Sequence, residues 1–154
     1  MPKLPTVQDY MVANVRTINP DMDIRRAVRV LLGMGISGCP VVDGDGMPIG
    51  VLTEKDCLRL LTQGRESSEI PAGIVAEYMT DQVTTMPQDM DIYYAAGMFL
   101  RHVYRRFPVV DGEGKLVGIL SRSDLLHAVD HHFDDAKLYT SSTPAPPREH
   151  PKKG

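Results

Sequence analysis

Pro40-Val41-Val42-Asp43-Gly44-Asp45-Gly46 returns 68 residues later as Pro108-Val109-Val110-Asp111-Gly112-Glu113-Gly114. A β-prone run ending in Asp-Gly-x-Gly predicts a strand closed by a tight turn. The copying extends downstream: Gly50-Val51-Leu52-Thr53-Glu54-Lys55-Asp56 is matched by Gly118-Ile119-Leu120-Ser121-Arg122-Ser123-Asp124. It extends upstream too, where Asp21-Met22-Asp23-Ile24 and Asp89-Met90-Asp91-Ile92 are identical. Residues 7–61 align with 75–129 without a gap, and 21 of the 55 pairs are identical. Self-similarity at a fixed period decides the architecture before any other signal. Units of this size are near the lower limit for an independent core. The two copies are therefore expected to bury their apolar faces against each other, with a pseudo-two-fold axis and two related clefts.

Each copy predicts the same series of elements. Val15 to Ile18 is a short β-prone run, and Asp21 or Asp23 offers a helix N-cap. Ile24, Ala27, Val28, Leu31 and Leu32 then follow at helical spacing, and Gly33 and Gly35 stop the helix. The strand from Cys39 to Val42, the turn, and a returning strand from Ile49 to Leu52 come next. Thr53 opens a second helix holding Leu58 and Leu61. The fold class is α/β: two β-α-β-β-α repeats packed with pseudo-two-fold symmetry. The expected organisation is repeat one over 7–61, a linker over 62–74, repeat two over 75–129, a C-terminal helix extension over 130–139, and a disordered tail over 140–154.

Composition sets bounds. The chain has 154 residues, is 42% hydrophobic and 24% charged, and carries a formal net charge of −3. That balance gives no general pull toward nucleic acid or an anionic membrane. No apolar run approaches the roughly 20 residues that span a bilayer. Met1-Pro2-Lys3-Leu4-Pro5 lacks the apolar stretch of a signal peptide. Cys39 and Cys57 have no cysteine at the matched positions, where Phe107 and Leu125 stand. Buried free thiols in a reducing cytoplasm are the simplest reading.

The repeated pattern resembles the cystathionine-β-synthase (CBS) domain, and two in tandem resemble the CBS pair, or Bateman module. The motif is carried as Cys39-Pro-Val-Val-Asp…Gly50-Val-Leu-Thr53-Glu-Lys-Asp56 and as Phe107-Pro-Val-Val-Asp…Gly118-Ile-Leu-Ser121-Arg-Ser-Asp124. The resemblance implies a regulatory module that binds AMP, ADP, ATP or S-adenosylmethionine in clefts between the repeats. It also implies a homodimer that signals to a separate effector protein. The alternative is an interaction and dimerisation module with vestigial clefts.

Candidate ligand contacts follow. Thr53 and Ser121 stand at strand-to-helix junctions, where free backbone N–H groups favour phosphate. Asp56 and Asp124, three residues on, can accept the two hydroxyls of a ribose, the role the family implies. The same spacing is also a helix capping box. By resemblance, backbone groups of Thr17, Ile18, Gly38, Cys39 and Pro40, and of Thr85, Met86, Arg106, Phe107 and Pro108, read the adenine. Ile18 and Met86 equally suit a core.

The repeats differ most where phosphate would be read. Arg101-His102-Val103-Tyr104-Arg105-Arg106 replaces Gly33-Met34-Gly35-Ile36-Ser37-Gly38. Arg105, Arg106 and Arg122 offer planar, bidentate donors. They favour Asp124, in their own repeat, although an arginine of one repeat can serve a ligand held by the other.

His127 and His131 share a helix face, but the sequence fixes no third metal ligand, and a polar helix end is the stronger reading. No nucleophile–base constellation, Walker-type loop or Gly-x-Gly-x-x-Gly motif supports an enzyme. Ile24, Val28 and Leu31, matched by Ile92, Ala96 and Phe99, carry more apolar surface than one small sheet can cover. They are expected to form the dimer interface.

Overall fold

The computed structural model describes residues 3–66 and 71–135. The expected tail, the end of the helix extension and the middle of the linker lie outside the described residues. In chain order the elements are α1 (Val7–Tyr10), β1 (Val12–Ala13), α2 (Ile24–Met34), β2 (Gly38–Val42), β3 (Pro48–Thr53), α3 (Glu54–Cys57) and α4 (Arg59–Glu66). A 3-10 turn (Val75–Glu77) opens the second half, followed by β4 (Met86–Pro87), α5 (Ile92–Arg101), β5 (Arg106–Val110), β6 (Leu116–Ser121) and α6 (Arg122–Asp135). No described helix is long and apolar enough to cross a membrane.

Local chemistry explains the element ends. Asp23 caps α2 by accepting from Arg25 N–H at 3.0 Å, and Asp91 caps α5 by accepting from Tyr94 N–H at 2.9 Å. Gly35 ends α2 in the left-handed region at φ 62°, where Ile36 N–H reaches back to Leu31 O. Gly33 lies two residues earlier, inside the helix. Each hairpin turn is held by its own aspartate. Asp43 Oδ1 accepts from the N–H groups of Asp45 and Met47, and Asp111 Oδ1 from those of Glu113 and Lys115.

Each repeat lends its first turn to the other. Val7 is fully buried among Met86, Ile92, Phe99 and Phe107, all of repeat two, whereas Val75 is buried among Ile18, Ile24, Val41 and Leu52, all of repeat one. The backbone follows the same exchange. Val7 N–H donates to Met90 O and Ile92 N–H to Pro5 O; Val75 N–H donates to Met22 O and Ile24 N–H to Gly73 O. The sheets complete it. β1 adds to the edge of β6, giving the order β1-β6-β5-β4, and Thr80 bridges Val51 of β3 at the matched place.

This exchange gives Gly50 and Gly118 their reason. A Cβ on Gly50 would lie 2.9 Å from Thr80 O, and one on Gly118 would lie 2.6 Å from Val12 O. The lent strand passes too close for any side chain.

The two apolar cores thus remain separate clusters joined by exchanged segments. The faces of α2 and α5 are covered within the chain itself: Ile24, Leu31, Ile92 and Phe99 are buried. This corrects the expectation that they form a dimer interface. The exposed apolar side chains are others. Leu32 is 76% and Leu100 88% exposed, and Leu58 between α3 and α4, Leu61 on α4, and Leu126 and Val129 on α6 are exposed too. The second helix of repeat one is broken at Leu58, between α3 and α4, and it packs through Cys57 and Leu60 instead.

Candidate functional site

Where the two repeats face each other, a cavity of about 670 Å³ opens. That is the size of a small-molecule site. Its repeat-one wall is Ser37, Gly38, Pro40, Thr53, Glu54 and Lys55, with fully buried Cys39 beneath. Its repeat-two wall is the strand approach Thr80, Gln82, Val83 and Thr84, together with the run from Val103 to Pro108.

The cavity gathers half of the expected residues: Gly38, Cys39, Pro40, Thr53, Arg105, Arg106, Phe107 and Pro108. Thr17 stands elsewhere, in a shallower cavity of about 460 Å³ with Asn14, Val15, Gly46 and Leu116 near the hairpin turns. Ile18 and Met86 belong to the two cores. Thr85, Ser121, Arg122, Asp56 and Asp124 border neither cavity.

The arginines therefore share this cavity with Thr53 of the other repeat, and Ser121 and Asp124 do not border it. The cause is steric. Gly38 pairs with Thr53 across β2 and β3, as Arg106 pairs with Ser121 across β5 and β6. Without a side chain at Gly38, the space over Thr53 stays open. At Ser121 the matched residue is a half-buried arginine.

Both acidic residues are engaged in capping boxes. Asp56 Oδ2 accepts from Thr53 N–H at 2.9 Å while Asp56 N–H donates to Thr53 Oγ1 at 3.2 Å. Asp124 and Ser121 make the same pair at 2.8 and 3.2 Å. Asp56 has one further partner: the Thr80 hydroxyl donates across both of its oxygens, at 3.3 and 3.5 Å. Asp56 is thus one hydrogen bond behind two residues that border the cavity, Thr53 and Thr80.

Two features were not assigned from sequence. Tyr104 is 45% exposed at the cavity edge and sits in an aromatic cluster, stacked on His102 at 5.7 Å and edge-on to Phe107 at 5.6 Å. An exposed ring held in this way offers a flat face to a base. The segment Thr80 to Thr84 supplies hydroxyl and amide groups from outside the repeated motif. Its only sequence signal was its position before β4.

Electrostatically the lining carries Lys55, Arg105 and Arg106 against Glu54. Cys39 is chemically quiet: burial pushes its thiol up to about 11, with nearby Arg16 pulling weakly the other way. Burial also raises Cys57, with a smaller contribution from Asp56. Neither thiol is a nucleophile near neutral pH. At the far end of the molecule, His131 Nδ1 and the Tyr10 hydroxyl are 3.1 Å apart and tie α6 to α1.

The model of the CBS domain matches residues 7–63 and again 75–131. The chain belongs to the CBS domain family. It is similar over 80% of its length to part of the inosine-5′-monophosphate dehydrogenase of Aquifex aeolicus, at 30% identity over 125 residues. It spans only 24% of that enzyme, which carries the related region within a longer protein. Among solved structures it resembles the CBS-pair protein CBSX2 of Arabidopsis thaliana in complex with AMP. The identity is 29%, the TM-score is 0.72, and the match covers 83% of this chain and 98% of that one. It also resembles the CBS domain pair of MJ0100 in complex with 5′-methylthioadenosine and S-adenosylmethionine, at 25% identity and TM-score 0.66, over 80% of this chain and 98% of that one. The CBS pairs of those two solved structures hold adenosine-containing ligands.

Proposed function

We propose that this CBS pair is a regulatory module that binds a phosphorylated adenosine ligand, AMP or a related nucleotide, in the inter-repeat cavity and signals to a separate protein. The observation that carries the reading is the cavity's composition. Tyr104 presents a ring face for a base. Lys55, Arg105 and Arg106 supply positive charge, and Thr53 and Thr84 supply hydroxyls. Arginine forks match phosphate oxygens. The same positive lining works against the sulfonium of S-adenosylmethionine. Among the ligands of the related pairs, a nucleotide is favoured. No catalytic role is assigned to any residue.

The module acts as a homodimer. Four of its exposed apolar side chains form pairs 68 residues apart, Leu58 with Leu126 and Leu61 with Val129, so one pseudo-symmetric face repeats at the α3–α4 junction and α4, and on α6. A self-complementary face suits two-fold assembly. Light scattering should return twice the 17.1 kDa chain mass, and Leu126→Glu should lower it.

A thermal-shift series with AMP, ATP, S-adenosylmethionine and NADH tests the ligand. A nucleotide at 100 times its Kd should add about 2.7 kcal/mol of stability. AMP or ATP should raise the Tm by more than S-adenosylmethionine does. If no adenosine compound shifts it, the chain is an interaction module with vestigial clefts.

A further inference from the structure

Ile24, Ala27 and Leu31 turn one side of α2 into its core, and Ile92, Ala95 and Phe99 do the same for α5. The outward sides of the two helices differ. That of α2 carries Arg25, Arg26 and Arg29, all exposed. Among the described residues none of the three has an ion pair or an aromatic partner. The matched positions on α5 are Tyr93, Tyr94 and Gly97, and the two rings are 53% and 57% exposed. Residues three and four apart are neighbours on a helix surface. Gly97 is therefore a notch flanked by both rings. One cation stands on this face: Arg101 lies over the Tyr94 ring, 5.5 Å from its centroid. Among the described residues no cation lies over Tyr93.

These faces constrain how two copies can meet. α2 lies beside α3, and α5 beside α6, so each continues the leucine-bearing surface of its own repeat. Pairing like repeats would set the arginines of one α2 against the same arginines of the other, and like charges repel. Pairing unlike repeats sets each arginine face on a tyrosine face, where guanidinium groups stack on aromatic rings. An acidic partner on α2 would leave the tyrosines uncovered, whereas a second copy covers both faces at once.

We propose that two copies of this chain pair head to tail: the arginine face of α2 in one docks on the tyrosine face of α5 in the other, twice around the two-fold axis, with Arg29 entering the notch at Gly97. This rests on the homodimer reading and adds its orientation. The apolar pairs leave that open, because Leu58 and Leu61 repeat as Leu126 and Val129 in the other half.

Sedimentation equilibrium of the full chain reads the dimer dissociation constant. Arg29→Ala should weaken the dimer about tenfold, because one cation–π contact is lost at each of two places. Tyr93→Ala should weaken it about as much. The double variant should lose less than the two effects multiplied, since both changes remove one contact. Cross-linking reads the orientation separately. In a Cys57→Ser background, Arg29→Cys and Gly97→Cys chains should form a disulfide when mixed, and Arg29→Cys chains alone should not. A tighter dimer in Arg29→Ala, or a disulfide between two Arg29→Cys chains, means that like repeats meet and overturns the proposal. So does a dimer that neither Arg29→Ala nor Tyr93→Ala weakens, or a mixture that forms no disulfide. In all these cases the homodimer reading survives. A parent that sediments as a 17.1 kDa monomer overturns both.

Discussion

The two repeats share the key residues of their turns and caps, yet they line the inter-repeat cavity with different side chains. Pairs such as Asp43 and Asp111, Gly50 and Gly118, Asp56 and Asp124, and Val7 and Val75 are identical. All of them do structural work: a turn held by a carboxylate, a strand admitted without a Cβ, a capping box, an exchanged side chain in the neighbour's core. Apart from Pro40, Pro108 and Val83, the cavity is lined instead by positions where the copies diverge. Ser37 faces Arg105 in the alignment, Gly38 faces Arg106, Thr80 faces Val12, and Ile36 faces Tyr104. Identity between repeats marks what the fold requires twice. Divergence marks where one cleft has been made different from the other.

The largest effect expected tests the shared half of this comparison. Gly50→Ala places a Cβ 2.9 Å from Thr80 O and 2.5 Å from Met79 Sδ; Gly118→Ala meets Val12 O at 2.6 Å and Met11 Sδ at 2.8 Å. The carbonyl oxygens belong to bridged strands and cannot move aside cheaply. Overpacking of this kind costs about 1–3 kcal/mol or more. For a chain of this size that lowers the Tm by roughly 2–12 °C. Both repeats should suffer similarly. Gly44→Ala and Gly112→Ala, with no atom within 4 Å of the new Cβ, should change little. Thermal denaturation of the four variants decides. A loss confined to one repeat would break the symmetry argued for the exchange.

The diverged half is tested by charge. Arg105→Ala and Arg106→Ala should each weaken AMP binding about tenfold to a hundredfold if each loses one charge-assisted hydrogen bond to phosphate. Binding by the parent should weaken as salt rises, because part of the attraction is screened. Ser37→Ala, at the position matched to Arg105, should stay within about threefold, since a neutral hydroxyl offers less. Calorimetry on the three variants reads this directly. Equal losses at Ser37 and Arg105 would mean that the clefts are not distinguished by charge.

The repeat, the main helices, the hairpins and the family were legible from periodicity and motif alone, because caps, Asp-Gly turns and 3.6-residue spacing are local signals. The strand expected from Val15 to Ile18 is reduced to a single bridge of Ile18 with Val41, and the strand there is Val12–Ala13. The exchange of first turns was not. Val7 and Val75 look like the start of their own repeats, and only the topology sends each into the other core. That same crossing places Thr80 against Asp56 and the arginines opposite Thr53. A site assembled repeat by repeat therefore misses that Thr53 and the arginines border one cavity. Tyr104 stood in view within the basic run, but nothing local says that its ring is propped by His102 and Phe107 at the cavity edge.

A smaller effect sharpens the comparison inside the cores. Cys39 occupies in repeat one the place that Phe107 holds in repeat two, and both are buried. Its thiol donates to Arg16 O at 3.1 Å, and burial raises it from 9.0 to about 11. The folded chain thus keeps this proton after the unfolded chain has released it. The resulting stability is fully present below pH 9.0 and is lost as pH rises through about 11. One proton sets the slope at no more than about 1.4 kcal/mol per pH unit. Other groups titrate in this range, so the informative quantity is a difference. Urea midpoints of the parent and of Cys39→Ala, measured from pH 8 to 11, should converge as pH rises, because only the parent has this proton to lose. Cys57, half-buried and raised in the same direction, should give the same sign with a smaller amplitude in Cys57→Ala, and it should be alkylated before Cys39 in the native protein. If the two midpoints stay parallel up to pH 11, the thiol of Cys39 is not held protonated by the core, and repeat one is looser at this position than the repeat that buries Phe107.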